Sequence, residues 1–205
     1  DRECETAQVC SFTGSCIEDA STISCIASPW TGVGYFETDL VNQLPLQATP
    51  LLTSSALRSI PLFGGIEDLN GSVRSVVDPV HTPDLEIGCV SPAPGRIGCP
   101  GYRDEAVRIL VAFTDESGDS RTTPDQAAAA LIEANTTFIG VSSGGAPSRA
   151  ALEAIATRAG SLDRTGAPLV FDASPVGGDI DVVVTRAIGE IVAATPLRVT
   201  NEATD

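Results

Sequence analysis

The chain has 205 residues, of which 42% are hydrophobic, and a formal net charge of −15. This charge argues against nucleic acid and anionic membrane surfaces as partners, because both bind cationic protein faces, and it suits a soluble surface or a binder of divalent cations. No run of about 18 apolar residues is present, so the sequence predicts no membrane-spanning segment. The length fits one α/β domain with insertions, or one domain with a small appendage.

Residues 1–30 form a polar, Cys-rich N-terminal segment without clear periodicity. An even number of cysteines in loop-like sequence predicts three disulfides and an oxidising compartment, hence a secreted, periplasmic or cell-surface protein. Only the pair Cys89–Cys99 is locally favoured, since it closes a loop rich in Pro and Gly. A zinc site is the alternative, but CxxC pairs are absent and the single histidine, His81, lies outside the N-terminal cluster. The cysteines are Cys4, Cys10, Cys16, Cys25, Cys89 and Cys99.

The next part of the sequence predicts one strand, two helices and a long loop. The strand is short and is followed by a polar loop that contains Pro45 and Pro50. Apolar residues at helical spacing then predict two helices, separated by a Phe-Gly-Gly break. The long loop after them contains the favoured disulfide. In chain order these elements are strand 31–36, helix 53–60, helix 66–77 and loop 78–103.

The second half of the chain alternates regularly between strands and helices. This alternation predicts a doubly wound, mostly parallel sheet with helices on both faces, a three-layer sandwich in an α/β domain that spans residues 31–205. We expect strands 31–36, 106–113 and 136–141 to pair as parallel neighbours, with helices 66–77 and 179–194 packed on the sheet. The predicted elements are strands 106–113, 136–141 and 169–171 and helices 124–135, 149–158 and 179–194.

The sequence AVRILVAFTDESGDS, residues 106–120, ends an apolar run abruptly in acidic residues. Open α/β sheets bind ligands at the carboxyl ends of their strands, which places Asp115 at the centre of the predicted working surface. Hard cations such as magnesium and calcium prefer oxygen ligands. The predicted cation ligands are Asp115, Glu67 and Asp68, and the adjoining residues predicted to bind ligand are Thr114, Glu116, Ser117 and Asp119. A solvated charged loop explains the pattern equally well, and an EF-hand does not fit, because Ser120 replaces the required Gly.

The sequence GVSSG, residues 140–144, matches the nucleophile-elbow pattern of hydrolases. A serine hydrolase that uses Ser142 requires a histidine later in the chain, whereas His81 comes earlier. Turns rich in Gly and Ser between a strand and a helix are also common for geometric reasons. A hydrolase, using Ser142 or a metal-bound water held by Asp115, is therefore kept as the alternative function.

The order of these pieces resembles the von Willebrand factor A-type domain, in the bacterial secreted branch related to integrin inserted domains. The matching pieces, over residues 31–195, are GVGYF, PLLTSSALRSIPLFGGIEDLNGSVRSVV, RILVAFTDE, ALIEANTTFIGV and SRAALEAIATRAGS. The family's first strand, with its Asp-x-Ser-x-Ser motif, has no counterpart, and SFTGS at residues 11–15 carries only part of it. Either this strand and its helix lie upstream in a longer chain, which the absence of Met favours, or the site is degenerate.

In that family a divalent cation at the sheet edge completes its coordination with an acidic group of the partner. The resemblance maps the family's Thr-Asp motif to Thr114 and Asp115. It maps the second metal loop to GGIEDLNG, where Glu67, Asp68 or Asn70 takes the ligand position. It implies a secreted or cell-surface binding or adhesion module, not an enzyme, for a protein or polysaccharide, with Mg²⁺, Ca²⁺ or Mn²⁺ as the candidate cofactor. The oligomeric state stays open.

Overall fold

The computed structural model describes residues 9–10, 16–17, 29–37, 39–61, 67–81, 95–118, 121–173 and 188–189. The strands are β1 Val9–Cys10, β2 Cys16–Ile17, β3 Thr31–Phe36, β4 Leu40–Gln47, β5 Arg96–Ile97, β6 Tyr102–Arg103, β7 Arg108–Thr114, β8 Thr136–Ser142 and β9 Val170–Asp172. The helices are α1 Pro50–Arg58, α2 Leu69–Val77, α3 Pro124–Glu133 and α4 Ala146–Arg158, with a 3-10 turn at Pro79–His81. None of the helices in these ranges has the length and apolarity to cross a membrane.

Strands β7, β8 and β9 form a parallel sheet in that order. β7 and β8 pair along their whole length, from Arg108 beside Thr136 to Thr114 beside Ser142. β9 then places Asp172 beside Ser142. Because the strands are parallel, their last residues form one row at the carboxyl edge of the sheet. Three polar side chains therefore stand next to one another at this edge.

Helices α2, α3 and α4 lie on one face of this sheet and enclose the larger core. Alternation along β8 sends Phe138 into that core and Ile139 and Val141 into a smaller core on the opposite face. The predicted α/β sheet flanked by helices is thereby confirmed. The helix predicted at 179–194 lies outside the described residues, except for the helical residues 188–189.

The prediction that residues 31–36 pair in parallel with residues 106–113 is wrong. The strand forms as β3, but it pairs with β4 in an antiparallel two-stranded sheet. Only a short connection separates the two strands, and parallel pairing needs a crossover of about a dozen residues or more. Pro45, which predicts a loop, lies in β4 where the register shifts between the pairs Val33–Leu44 and Thr31–Gln47. The ladder is interrupted at such a bulge, so the backbone N–H that proline lacks is not needed there.

The other predicted elements form with shifted bounds. α1 begins at Pro50 and not at residue 53, because proline suits the first position of a helix. α2 begins at Leu69 and not at residue 66, because Asp68 caps it: the carboxylate accepts the Gly71 backbone N–H at 2.8 Å. α4 begins at Ala146, before the predicted residue 149. A side-chain cap for α2 and a proline in the first turn of α1 and α4, more than apolar spacing, mark these boundaries.

The loop predicted at 78–103 contains a short hairpin, β5–β6, which packs against α2. The backbone N–H of Cys99 donates to the Val76 carbonyl at 2.8 Å. Gly98 is needed beside it, since a Cβ there would lie 2.2 Å from the Val76 carbonyl oxygen and the backbone has a φ of +67°. The hairpin is therefore fixed to the last turn of α2.

Cys99 forms a disulfide. Its predicted partner, Cys89, lies outside the described residues together with Cys4 and Cys25, so the pairing stays a prediction. The Cys99 Sγ lies 3.2 Å from the Ser75 carbonyl oxygen, and this is a contact and not a hydrogen bond because a disulfide sulfur carries no proton. Two further predicted disulfide cysteines, Cys10 and Cys16, are register partners across β1 and β2.

The amino end of β7 is fixed by the buried side chain of Arg108. Its guanidinium donates to the carbonyl oxygens of Arg103 at 3.2 Å, Asp104 at 2.7 Å and Ala134. It also donates to the Asp104 carboxylate at 3.1 Å. Because Ala134 is the C-cap of α3, the cation lies at the negative end of that helix dipole, which is favourable.

Candidate divalent-cation site

β7 ends in Thr114, and acidic residues follow it directly. Thr114 is buried, with 5% of its surface exposed, and its hydroxyl donates to a carboxylate oxygen of Glu67 at 2.7 Å. The same hydroxyl oxygen accepts the backbone N–H of Glu116 at 3.1 Å. Asp115, Glu116 and Ser117 are exposed. One hydroxyl therefore joins the two acidic loops that the sequence marks as a candidate site.

The connection between β8 and α4 contacts the carboxyl end of β7 through backbone atoms. The Ser143 backbone N–H donates to the Thr114 carbonyl at 3.1 Å. A Cβ at Gly144 would lie 1.5 Å from the Asp115 carbonyl oxygen, so only glycine fits there without displacement of the backbone. The position of Asp115 is thus set by backbone contacts.

The second acidic loop contributes one carboxylate to the site. Glu67 contacts Thr114 as described, whereas Asp68 is buried and its carboxylate caps α2. Asn70 donates through its side-chain amide to the Thr122 carbonyl at 3.0 Å. Of the three residues that the sequence offers as ligands in this loop, the structure brings Glu67 to the end of β7 and gives the other two contacts that support the helix and the loops around it.

Several carboxylates lie near that of Glu67 and affect its pKa. Burial raises the pKa of the Glu67 carboxyl above its ordinary value, and the carboxylates of Asp115, Glu116 and Glu37 raise it further. The hydrogen bond from Thr114 lowers this pKa without cancelling the increase. The ionised carboxylate is therefore held at a cost in free energy. A cation beside these oxygens would reduce the cost, because an opposite charge favours the ionised form.

Sequence reasoning missed Glu37 as a member of this group. It directly follows the last residue of β3, and its carbonyl accepts the Asp68 backbone N–H at 2.7 Å. The available signal is an acidic residue at the end of a strand, as Asp115 is at the end of β7. This position makes Glu37 a candidate member of the site only once the end of β3 is known to lie near β7.

The donor types fit a hard divalent cation, which prefers hydroxyl and carboxylate oxygens. However, in the part of the chain that the structure describes, no three His, Cys, Asp or Glu side chains are close enough together to hold a metal ion. Asp119, also predicted to bind ligand, lies outside the described residues. Glu67, Thr114 and Asp115 would therefore supply only part of a coordination shell, and further oxygens would be needed to complete it.

Ser142 is not placed to act as the nucleophile of a hydrolase. Its side chain is buried, and its hydroxyl lies 2.6 Å from the Ser148 hydroxyl and 3.3 Å from the Gly145 carbonyl oxygen. These contacts tie the end of β8 to the start of α4. The GVSSG sequence thus serves here as a strand-to-helix turn, and the serine hydrolase loses its candidate nucleophile.

No protein-family model matches the chain, and no curated protein matches it. Solved structures match its fold. Two structures of proximal thread matrix protein 1 from the mussel byssus align over 80% of this chain, with TM-scores of 0.53 and 0.54 at 12% and 13% sequence identity. The fold is von Willebrand factor A-like.

The vWA-like chain spans 34% to 35% of the length of the mussel protein. One of the two mussel structures has a zinc-occupied MIDAS motif. At this level of identity the likeness establishes the fold, while the metal belongs to the mussel protein. The placement in a bacterial branch and the division at residue 30 stay predictions.

Proposed function

We propose that this vWA-like chain is an extracellular binding module whose carboxyl sheet edge holds a divalent cation. Through that cation it would bind an acidic group of a protein or polysaccharide partner. The observation that carries the proposal is the meeting of Glu67 with Thr114 and Asp115, where burial and like charges raise the pKa of Glu67. The site has negative charge in excess of what its own hydrogen bond can stabilise.

Three side chains would hold the ion. Glu67 and Asp115 supply charge, and the Thr114 hydroxyl supplies a neutral oxygen next to them. Mg²⁺, Ca²⁺ and Mn²⁺ all accept such donors. When bound, the metal supplies a positive centre that attracts an anionic oxygen of the partner. An anionic oxygen of the partner would complete the coordination.

The cysteines support an extracellular location. Cys99 is in a disulfide, and disulfides persist in oxidising compartments. The net charge of −15 argues against nucleic acid as a partner. A secreted, periplasmic or cell-surface module is the setting that fits both features.

The test is titration of the chain with calcium, magnesium and manganese, followed by calorimetry and thermal unfolding. An incomplete ligand set should bind weakly, with a Kd of roughly 10⁻⁴ to 10⁻³ M, as in extracellular calcium modules. An ion at about ten times its Kd adds about 1.4 kcal/mol to the free energy of unfolding. The unfolding midpoint should then rise by about 3–6 °C.

Asp115→Ala should abolish this rise and leave the fold intact, since the side chain is exposed. Glu133→Gln is the matched control, because it removes an exposed carboxylate on α3 and should keep the rise. No heat and no change in midpoint with any of the three ions would overturn the cation site. Ester turnover that depends on the metal and on Asp115 would instead favour a metal-assisted hydrolase.

A further inference from the structure

A second charged surface lies at the other end of β7. Trp30, Arg96 and Arg103 form it, and we call it the Arg–Trp cluster. The guanidinium carbons of Arg96 and Arg103 lie 5.7 Å and 4.8 Å from the centroid of the indole ring. The Arg103 carbonyl accepts from Arg108 at the start of β7, whereas Thr114 ends that strand about 20 Å away. The cluster is therefore separate from the candidate cation site.

The two arginines of the cluster are held together against their mutual repulsion. They are direct register partners across the β5–β6 hairpin, a position in which like charges destabilise a pair of strands. Cation–π attraction to the indole offsets part of this cost. Among the residues that the structure describes, neither arginine joins an ion pair, and the adjacent Asp104 is bonded to Arg108 instead. Within the described part of the chain, both cations are thus available to an anion.

The cluster is accessible and supported by a fixed scaffold. Trp30 is 39% exposed, Arg103 is exposed and Arg96 is half-buried. The hairpin that carries both arginines is fixed to α2 through the backbone of Cys99, which also forms a disulfide. A site held in place in this way loses little conformational freedom when it binds.

We propose that the Arg–Trp cluster binds a carboxylate or sulfate group of an acidic polysaccharide. Guanidinium groups bind planar or tetrahedral oxyanions through paired N–H donors, and the exposed part of the indole offers an apolar surface for the adjoining sugar ring. Two cations suit a polymer whose charges are widely spaced. The net negative charge of the chain repels every polyanion, and it repels a duplex nucleic acid, with a charge about every 1.7 Å of its axis, more strongly than a polymer of lower charge density.

Trp30 is the only tryptophan of the chain, so its fluorescence reports on the cluster directly. The chain is titrated in EDTA, which removes any contribution of the cation site and makes the two proposals fail independently. Polygalacturonate probes the carboxylate, and a dextran sulfate of low sulfate content probes the sulfate. Either or both should change the Trp30 emission in a saturable way, and neutral dextran and poly-glutamate should produce no comparable change.

The double variant Arg96→Gln/Arg103→Gln should weaken this binding by about tenfold or more, because charge-assisted hydrogen bonds are lost. Arg58→Gln/Arg121→Gln is the matched control, with the same change in charge at two exposed arginines elsewhere, and it should bind like the unmodified chain. Circular dichroism checks that both variants are folded.

Three results would overturn the proposal. The first is no response of Trp30 to either acidic polysaccharide. The second is equal weakening in both double variants, which would indicate general charge attraction. The third is a response to poly-glutamate as strong as that to polygalacturonate, which would make the cluster a site for acidic peptides.

Discussion

The two ends of β7 place a charged side chain in opposite surroundings. At the amino end, the Arg108 guanidinium is surrounded by carbonyl oxygens and a carboxylate that accept its hydrogen bonds. At the carboxyl end, Glu67 accepts a hydrogen bond from Thr114 but faces other carboxylates, and its pKa is raised. The first charge is compensated within the fold, while the second would be fully compensated only by a bound cation. A charge that the protein leaves uncompensated is the better guide to function.

Arg108→Met should produce the largest effect. The change leaves the carbonyl oxygens of Arg103, Asp104 and Ala134 without their charged donor, so the free energy of unfolding should fall by about 3 kcal/mol or more. Urea unfolding measures this. Arg158→Met is the control, because its ion pair with Asp125 is exposed and should contribute at most about 1 kcal/mol. Similar losses in both variants would contradict the contrast.

Gly144→Ala should come next. The new Cβ would collide with the Asp115 carbonyl oxygen, and the resulting backbone shift should cost about 1–3 kcal/mol. It should also remove the stabilisation by calcium, magnesium or manganese, because Asp115 moves. Gly160→Ala is the control: it strains a glycine with a φ of +68° but adds a Cβ that contacts nothing within 4 Å, so it should destabilise the fold and still keep the response to the ions. A Gly144→Ala protein that still responds would show that Asp115 is not held by this contact.

Glu67→Gln should stabilise the cation-free protein slightly, by up to about 1 kcal/mol, since solvent screens a partly exposed charge. The amide oxygen can still accept the Thr114 hydrogen bond, so the change removes charge and little else. The same variant should lose the cation-dependent rise in the unfolding midpoint, whereas Glu133→Gln should change neither quantity. Destabilisation of the cation-free protein by Glu67→Gln would mean that the carboxylate is a structural charge, as Arg108 is.

The free-energy cost of ionising Glu67 should also appear in the pH dependence of stability, and its direction follows from the raised pKa of Glu67. The native pKa of Glu67 lies above its ordinary value of 4.5, so the folded protein keeps this proton to a higher pH. Relative to Glu67→Gln, the native chain should therefore lose stability as pH rises from about 4.5 through the native pKa.

Asp163 should behave oppositely, because the hydrogen bond from Thr165 lowers its pKa and its contribution is lost as pH falls. Unfolding curves at several pH values decide both signs.

The sequence was a good guide where one pattern dominates. The short apolar runs of β7 and β8, rich in β-branched residues, predict strands, and their parallel pairing fits the helix between them. Thr114 and Asp115 mark the sheet edge for the same reason, since polar residues end a buried run. These features depend on local pattern and on the geometry of parallel sheets alone.

Features that depend on tertiary context were missed. Pro45 argues against a strand at β4, because a proline is tolerated in a strand only at an edge, at the first residue or at a bulge, and the sequence does not reveal these positions. Without β4, the orientation of β3 and the contribution of Glu37 could not be inferred. Asp68 looks like a cation ligand by composition, and only the start of α2 at Leu69 shows that it is a helix cap.

α2 connects the two charged surfaces mechanically. Asp68, at its start, is the neighbour of Glu67, and Val76, near its end, holds the hairpin of the Arg–Trp cluster through Cys99. The helix has nine residues and is therefore about 14 Å long. If different molecules bind the two surfaces, both β7 and α2 lie between them. Because Leu69 and Val73 of α2 and Ala112 of β7 pack in the same core, a pull between the two surfaces would be resisted by the folded interior and not by a loop.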